Sequence, residues 1–262
     1  MNRNLHKYYY KDYFGNRPEE IIDPEDRQQR RRINASLNWM DIKSDKKNAP
    51  IIKKRNSRLM EREILYVIEK PMDTKYTFQL EIVYPGLVTG IGINHEATIE
   101  GEFKLGVHFD WTYGMPVVYG SSVKGVLKSY FKEFYTPKEG QPTVKDAIDD
   151  IFNGGKKSIY QRDVFLDAVI VQAERNGSGR ILCSDSITPH GDDPLKNPIP
   201  LTFLKIAPGC KLEFRFKLVT TEIINEGQTL KLTAEDKLCI FREILTTVGI
   251  GAKTNVGYGQ LK

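Results

Sequence analysis

An α+β fold, in the order strand, helix, strand, strand, helix, strand, is what this sequence predicts. Two segments alternate with the period of half-buried strands. In the first, Tyr76, Phe78, Leu80 and Ile82 alternate with Thr77, Gln79 and Glu81; in the second, Leu212, Phe214, Phe216 and Leu218 share one face. Two others repeat at helical spacing. Val123, Val126, Leu127, Tyr130, Phe131 and Phe134 form one apolar stripe, and Leu238, Phe241, Leu245 and Val248 form the other. With a strand-like run over 163–172 and a short last strand over about 256–261, the order is βαββαβ. That is a ferredoxin-like, RRM-like arrangement, although other α+β folds satisfy the periodicity too.

Residues 1–74 precede this pattern and are read as a basic N-terminal extension; residues 75–262 are the α+β domain. The extension is polar, with Pro18, Pro24, Pro50 and Pro71 as breaks. A helix is expected over 26–37 and a further helix or strand over 61–68. Tyr8, Tyr9, Tyr10, Tyr13 and Phe14 cluster beside Lys7 and Lys11. Such rings can stack RNA bases, but they more often dock a terminal arm onto protein. Within the domain, 144–152 reads as a short helix closed by Gly154. Thr233 is a helix N-cap, and Gly249 stands where a C-terminal cap is expected. Long insertions over 85–101, 136–162 and 176–200 exceed what a minimal domain needs.

Composition narrows the functional classes. No apolar run reaches the length of a membrane span, so no membrane partner is expected. Cys183, Cys210 and Cys239 lack the spacing of a zinc site or a disulfide frame, so a reducing, cytoplasmic setting is expected. No cofactor and no metal are indicated. The net charge is +5, but residues 1–70 alone carry an excess of six positive charges and the remainder a deficit of one. The runs Arg30-Arg31-Arg32, Lys46-Lys47 and Lys53-Lys54-Arg55 suggest an anionic partner such as RNA, although each run alone is more often solvated surface.

The densest chemistry lies near the C-terminus. Gly249-Ile250-Gly251 and Gly257-Tyr258-Gly259 are two Gly-hydrophobic-Gly triplets enclosing Lys253, Thr254 and Asn255, which are phosphate-contacting types. The loop follows a helix, so it is not a nucleotide-binding P-loop, which precedes one. A second cluster starts the first core helix. Gly120, Ser121 and Ser122 are expected to offer free backbone N–H groups at the positive end of that helix. Lys124, Lys128 and Lys132 then follow four residues apart, a repelling row that an anion would relieve. Asp185, His190, Asp192 and Asp193 invite a metal or acid role, but Pro189 and Pro194 mark a turn-rich loop where such residues are ordinary. His95 is read as a polar loop residue and His108 as a hydrogen-bonded sheet histidine.

The two-triplet loop resembles the signature of the RAMP superfamily, the RNA-binding proteins of CRISPR systems. Tyr119-Gly120-Ser121-Ser122-Val123-Lys124-Gly125 resembles the Gly-Ser-Ser-hydrophobic-Lys-Gly element of type III effector subunits. The stretch from Leu182-Cys183-Ser184-Asp185 through Thr188-Pro189-His190 to Pro200-Leu201-Thr202-Phe203-Leu204 resembles the sixth-named RAMP subunits of type III-B (Cmr) complexes. These matches span residues 86–261, and residues 1–70 share in none of them. The resemblance implies a non-catalytic subunit that caps the complex near the 3′ end of the guide RNA, beside the repeating backbone RAMP and other Cmr subunits, with target RNA reached through the guide. It implies guide contacts from Gly120, Ser121, Ser122, Lys124, Lys128, Gly251, Lys253, Thr254, Asn255 and Gly257. It also implies a thumb loop carrying Thr188, Pro189 and His190. Nuclease-competent members supply an Asp from the loop after the first core strand; here 85–100 holds no Asp, and Glu96, beside His95, is the candidate substitute. The alternatives are an endoribonuclease using His95 or His190 to trim precursor guide RNA, and an assembly subunit that touches only proteins.

Overall fold

The computed structural model describes residues 4–23, 31–37, 47–61, 74–90, 99–103, 106–155, 157–173, 179–188 and 200–262. The chain forms two compact units. One comprises Met1–Tyr66, Val88–Pro116 and Ala173–Ala207; the other comprises Val67–Leu87, Val117–Gln172 and Pro208–Lys262.

The first unit begins with helix α1 (Leu5–Lys7), which runs into a π-helical turn over Tyr8–Asp12. Strands β1 (Glu19–Ile22) and β2 (Arg32–Ala35) pair antiparallel. The helix expected over 26–37 is therefore a strand at Arg32–Ala35, because Ile21 and Ile33 gain more by facing each other across a ladder than a lone polar helix would; residues 24–30 lie outside the described residues. Pro50 is not a break. It opens helix α2 (Ala49–Met60), where its fixed φ fits and its missing N–H costs nothing. The segment expected over 61–68 lies outside the described residues, apart from Glu61 as the C-cap of α2. Arg55 of α2 is buried and donates to the carbonyls of Tyr13 at 2.7 Å and Arg17 at 2.8 Å, with Glu19 3.7 Å away. The aromatic cluster docks: Tyr8, Tyr9 and Tyr13 are buried, Tyr9 packs on Phe109 and Tyr13 stacks on Phe103.

The second unit contains the antiparallel sheet. β3 (Tyr76–Glu81), β9 (Lys211–Lys217), β6 (Ala168–Gln172) and β4 (Val117–Val118) lie in that order, and β5 (Val164–Phe165) extends β6 along β9. Beyond β3, Leu261 bridges Ile82, and Glu81 and Lys262 exchange backbone hydrogen bonds of 2.9 and 3.0 Å. C-terminal segment, β3, β9, β6 is the antiparallel order that a βαββαβ connection produces. The last strand is shorter than 256–261, since residues Thr254–Val256 form a 3-10 turn and only the bridge at Leu261 remains.

Two helices cover one sheet face. α3 (Gly120–Phe134) buries Val123, Leu127 and Phe131; α5 (Ala234–Val248) buries Phe241, Ile244 and Leu245. α5 starts on a capping box between Thr233 and Asp236, and Gly249 is its C-cap. Phe152, Phe165, Phe216 and Phe241 join sheet and helices, with successive ring centroids 5.5–5.7 Å apart from Phe152 through Phe165 and Phe241 to Phe216. α4 (Val144–Ile148) continues into a π-turn that Gly154 ends in the left-handed region, as the sequence predicts. The insertion over 176–200 is partly regular. β7 (Leu182–Ile187) pairs antiparallel with β8 (Leu201–Ile206) in the first unit. The hairpin of β10 (Thr221–Asn225) and β11 (Gln228–Leu232) escapes the sequence reading.

Lys237 of α5 is fully buried. Its ammonium lies 2.6 Å from Asp163 and 2.7 Å from the Val219 carbonyl, while Asp163 also accepts the Val219 N–H at 2.8 Å. Burial pushes the Asp163 carboxyl up and the Lys237 ammonium down, and their mutual attraction opposes both shifts. Removing one partner strands the other charge out of water. Lys237→Ala is therefore expected to lower unfolding stability by about 3–5 kcal/mol, read from urea denaturation. A loss under about 1 kcal/mol, the range of exposed pairs, would show that water reaches the pair.

Candidate nucleic-acid interface

The glycine loop is a backbone knot with an outward insert. Ile250 donates its N–H to the Gly259 carbonyl at 2.9 Å, and Gly259 donates to the Gly86 carbonyl at 2.8 Å. A Cβ on Gly259 would lie 1.9 Å from the Ile250 carbonyl oxygen, so two main chains approach as only glycine allows. The apolar member of each triplet, Ile250 and Tyr258, is buried. The insert is carried outside this knot. Lys253 adopts the left-handed region at φ 62°, and its carbonyl accepts the N–H groups of Val256 and Tyr258. Thr254–Val256 makes the 3-10 turn, and Gly257 closes it at φ 94° with its N–H on the Thr254 carbonyl. Lys253 and Thr254 are half-buried; Asn255, Val256 and Gly251 are exposed. Among the described residues the space around Gly257 is open, with Pro85 alone approaching an added Cβ, at 3.8 Å.

The start of α3 differs from the sequence expectation. The Gly120 N–H is not free; it donates to the Asp167 carboxylate at 2.6 Å. The Ser122 N–H donates to the Tyr119 carbonyl at 2.8 Å. A carboxylate thus already occupies part of the positive end of this helix. Gly120 is required for packing, since a Cβ there would meet the Phe165 carbonyl at 2.1 Å. Ser121 and Ser122 are exposed. The lysine row is partly relieved from within. Lys124 holds its ammonium 5.9 Å from the Phe165 ring centre, and Lys128 donates to Asn153 at 2.9 Å. Lys132 is exposed.

The two motifs do not form one site. Gly120 lies beside Leu166 and Asp167, level with the middle of β3, whereas the knot lies past Glu81 beside Gly86. At the spacing within and between strands, that separation is on the order of 20 Å. The other sheet face, where RRM domains stack bases on aromatic rings, carries none on its central strands. It bears Gln79 and the buried pair Glu213–Arg215, joined at 2.9 Å, with Gln79 donating to Glu213 at 3.1 Å.

Of the remaining expected residues, Thr188 follows β7, while Pro189, His190, Asp192, Asp193, His95 and Glu96 lie outside the described residues. Asp185 pairs with Lys205 at 2.6 Å, which gives it a structural role. His108 donates its backbone N–H to Thr89 at 2.7 Å and lays its ring against Gly90; burial lowers its pKa, which keeps it neutral at pH 7. In the basic runs, Arg55 is lost to the core and Arg32 pairs with Glu20 at 3.5 Å, while Lys53 is exposed. Among the described residues no cluster of His, Cys, Asp and Glu is arranged to hold a metal, and no helix is long and apolar enough to cross a membrane. Sequence reasoning missed Asp167 and Gly86. Asp167 interrupts a strand-like run, a signal for a turn with a capping carboxylate, and Gly86 follows a proline, a turn signal.

The family model of the RAMP superfamily matches residues 79–262. No curated protein matches the chain. Among solved structures, a chain of the type III-B Cmr-beta complex bound to cognate target RNA is similar, with a TM-score of 0.50, 20% identity, and coverage of 71% of this chain and 57% of that one. The chain thus spans little more than half of that relative. Cmr6 from Pyrococcus furiosus matches with a TM-score of 0.35 and 19% identity over 71% of this chain and 96% of that one. A chain of the Cmr-beta apo state matches at 0.40 and 13%, covering 72% and 98%.

The knot predicts a contrast between its glycines. Gly257→Ala meets open space and carries only the cost of a side chain at positive φ, about 1–2 kcal/mol. Gly259→Ala adds a collision with the Ile250 carbonyl and is expected to cost about 3 kcal/mol or more, measured by thermal or urea unfolding. Equal losses in the two variants would mean the main chains do not touch as described.

Proposed function

The chain belongs to the RAMP superfamily, and we propose that it is a non-catalytic guide-RNA-binding subunit of a type III-B CRISPR effector complex. In this reading it caps the complex near the guide 3′ end, beside a repeating backbone RAMP subunit. The observation that carries the reading is the glycine knot, which buries Ile250 and Tyr258 and leaves Lys253, Thr254 and Asn255 on a turn fixed at both ends. Such a turn contacts phosphate and sugar, whatever the base. Sequence would be read by base pairing between guide and target, the division of labour of RNA-guided effectors. The exposed Ser121, Ser122 and the ammonium of Lys124 are a second phosphate contact, and the separation of the two motifs assigns them to different nucleotides. The thumb role of Thr188, Pro189 and His190 against the guide–target duplex belongs to the same proposal. The similar Cmr-beta chain comes from a complex bound to cognate target RNA, which fits this reading.

Filter binding with guide RNA tests it. Lys124→Ala with Ser122→Ala is expected to weaken binding similarly for unrelated sequences and to make the salt slope shallower by about one contact. Gly257→Val is expected to weaken binding more than Lys253→Ala, because a lysine makes one screened contact and a misfolded turn loses several donors together. A folded Gly257→Val protein that binds like wild type, alongside a weak Lys253→Ala, would reduce the loop to a carrier of charge.

The absence of Asp from 85–100 generates the prediction about cleavage. The purified chain is expected not to cut RNA with Mg²⁺ or Mn²⁺, and in an assembled complex Glu96→Ala and His190→Ala are expected to leave target cleavage intact. Metal-dependent cutting by the chain alone, abolished by either substitution, would establish the endoribonuclease instead. Assembly without any RNA affinity would establish a protein-only scaffold.

A further inference from the structure

The turn over 110–114, in the first unit, is built more firmly than a surface connection requires. The Asp110 carboxylate accepts the N–H groups of Thr112 at 2.8 Å and Tyr113 at 2.6 Å. The Asp110 carbonyl accepts the Gly114 N–H at 2.9 Å, and the Asp110 N–H donates to Met115 at 2.8 Å. Phe109 bridges Pro116, and Phe109 and Met115 are buried, so the base of the turn is anchored in the core. The N-terminal helix buttresses it from the side. Leu5 donates to the Gly114 carbonyl at 2.9 Å, and the Asn4 amide reaches the Trp111 carbonyl at 3.5 Å.

At the tip of this turn Trp111 is 75% exposed. Exposing an indole on a rigid support forgoes the burial that large rings ordinarily gain. The indole is not loose. Its ring centre lies 4.1 Å from that of His6, which lies 4.5 Å from Tyr10. Tyr10 contacts Tyr9 at 5.1 Å, and Tyr9 contacts Phe109 at 5.5 Å. A column of rings therefore rises from the core and ends in Trp111, one side of which rests on His6. Tyr113, on the same turn, is 42% exposed. Lys7 and Lys11 are exposed and follow His6 and Tyr10 by one position each on the same helical segment. Burial first, opposed by Asp110 and helped by Lys11, lowers the pKa of His6, so its ring is neutral at pH 7 and packs, tilted by 39°, against Trp111 as an uncharged aromatic.

We propose that Trp111, backed by His6, is a stacking platform for one base of single-stranded RNA, with Lys7 and Lys11 drawing the adjoining phosphates. An exposed indole resting on a helical segment that carries two exposed lysines matches a nucleotide, which has a flat base and an anionic backbone. It matches an apolar protein surface less well, since such a surface gives those exposed lysines no counter-charge. The site lies outside the glycine knot and the start of α3, and it adds base stacking to contacts that otherwise touch only phosphate.

The chain holds two tryptophans, Trp39 and Trp111, so Trp39→Phe leaves Trp111 as the only indole. Titrating that full-length variant with oligouridylate is expected to quench its fluorescence saturably, and an oligomer with an abasic backbone is expected to quench it far less. In the wild-type background, Trp111→Ala is expected to weaken oligouridylate binding by at least about fivefold, while Trp111→Phe keeps most of the affinity. Should Trp39→Phe not fold, ¹⁹F spectra of the 5-fluorotryptophan-labelled wild type, with the Trp111 signal assigned by Trp111→Phe, give the same reading. Unchanged affinity in a folded Trp111→Ala protein overturns the platform, as does equal quenching by the abasic oligomer. Intact RNA affinity with lost association to partner subunits would make the turn a protein-docking anchor and likewise overturns it. Lys253→Ala separates this proposal from the glycine-knot reading: it is expected to weaken binding while leaving the quenching amplitude at saturation intact.

Discussion

One main-chain contact sets what the C-terminal end of this chain can do. Helix α5 ends at Val248, and Leu261 must pair with Ile82 at the outer side of β3. The chain between them has to leave a helix, project a turn and return to the sheet within a dozen residues. It does so by laying Ile250 against Gly259 and Gly259 against Gly86, backbone on backbone. No residue with a side chain fits at Gly259. The glycines at the ends of the signature are thus first a requirement of closure. The chemistry of the insert, Lys253 to Asn255, follows because the knot leaves those residues nowhere to go but outward.

Buried charge does the complementary work of fixing helices. Lys237 ties α5 to the strand entrance at Asp163 and to Val219, and in the other unit Arg55 ties α2 to the N-terminal arm through Tyr13 and Arg17. Neither contributes much net stability over an apolar substitute, but each is directional, and removing one partner leaves a charge stranded. Arg55 also corrects a charge argument. Lys53-Lys54-Arg55 looks like a basic patch in the sequence, yet its arginine is a core residue. Glu213 and Arg215 repeat the pattern on the sheet: their mutual pairing satisfies a face that, in an RRM, would stack bases. The likeness to RRM domains is therefore one of connectivity, and the proposed function leaves RNA to be met by loops and turns.

What the sequence made legible was what short-range periodicity encodes. β3 and β9 announced themselves by alternation, α3 and α5 by their apolar stripes, and α5 also by its N-cap at Thr233. The errors arose where one local signal has two readings. Pro50 can stop a helix or start one, and here it starts α2. The hairpin of β10 and β11 turns through Glu226 and Gly227, both at positive φ, and glutamate is an unusual occupant of that position. Arg32–Ala35 is a strand only because Ile21 and Ile33 meet across a pairing that no local window contains. In the candidate interface the residue types were legible but not their partners. Nothing near Gly120 in sequence reveals that Asp167, 47 positions away, takes its N–H.

That last contact changes how an anion would be held. A helix start with three free donors would bind a phosphate deeply and alone, as a nucleotide site does. With Asp167 already at the Gly120 N–H, the start of α3 retains hydroxyls and a lysine ammonium, a shallower and more salt-sensitive grip. The glycine knot offers a similar grip on the order of 20 Å away. Two weak points at that separation would discriminate poorly between small anions, but under the proposed function they would hold a polyanion that spans both, because the second contact becomes intramolecular once the first is made. The proposed interface would therefore suit an extended nucleic-acid strand better than a mononucleotide, and these two contacts would do so without reading a single base.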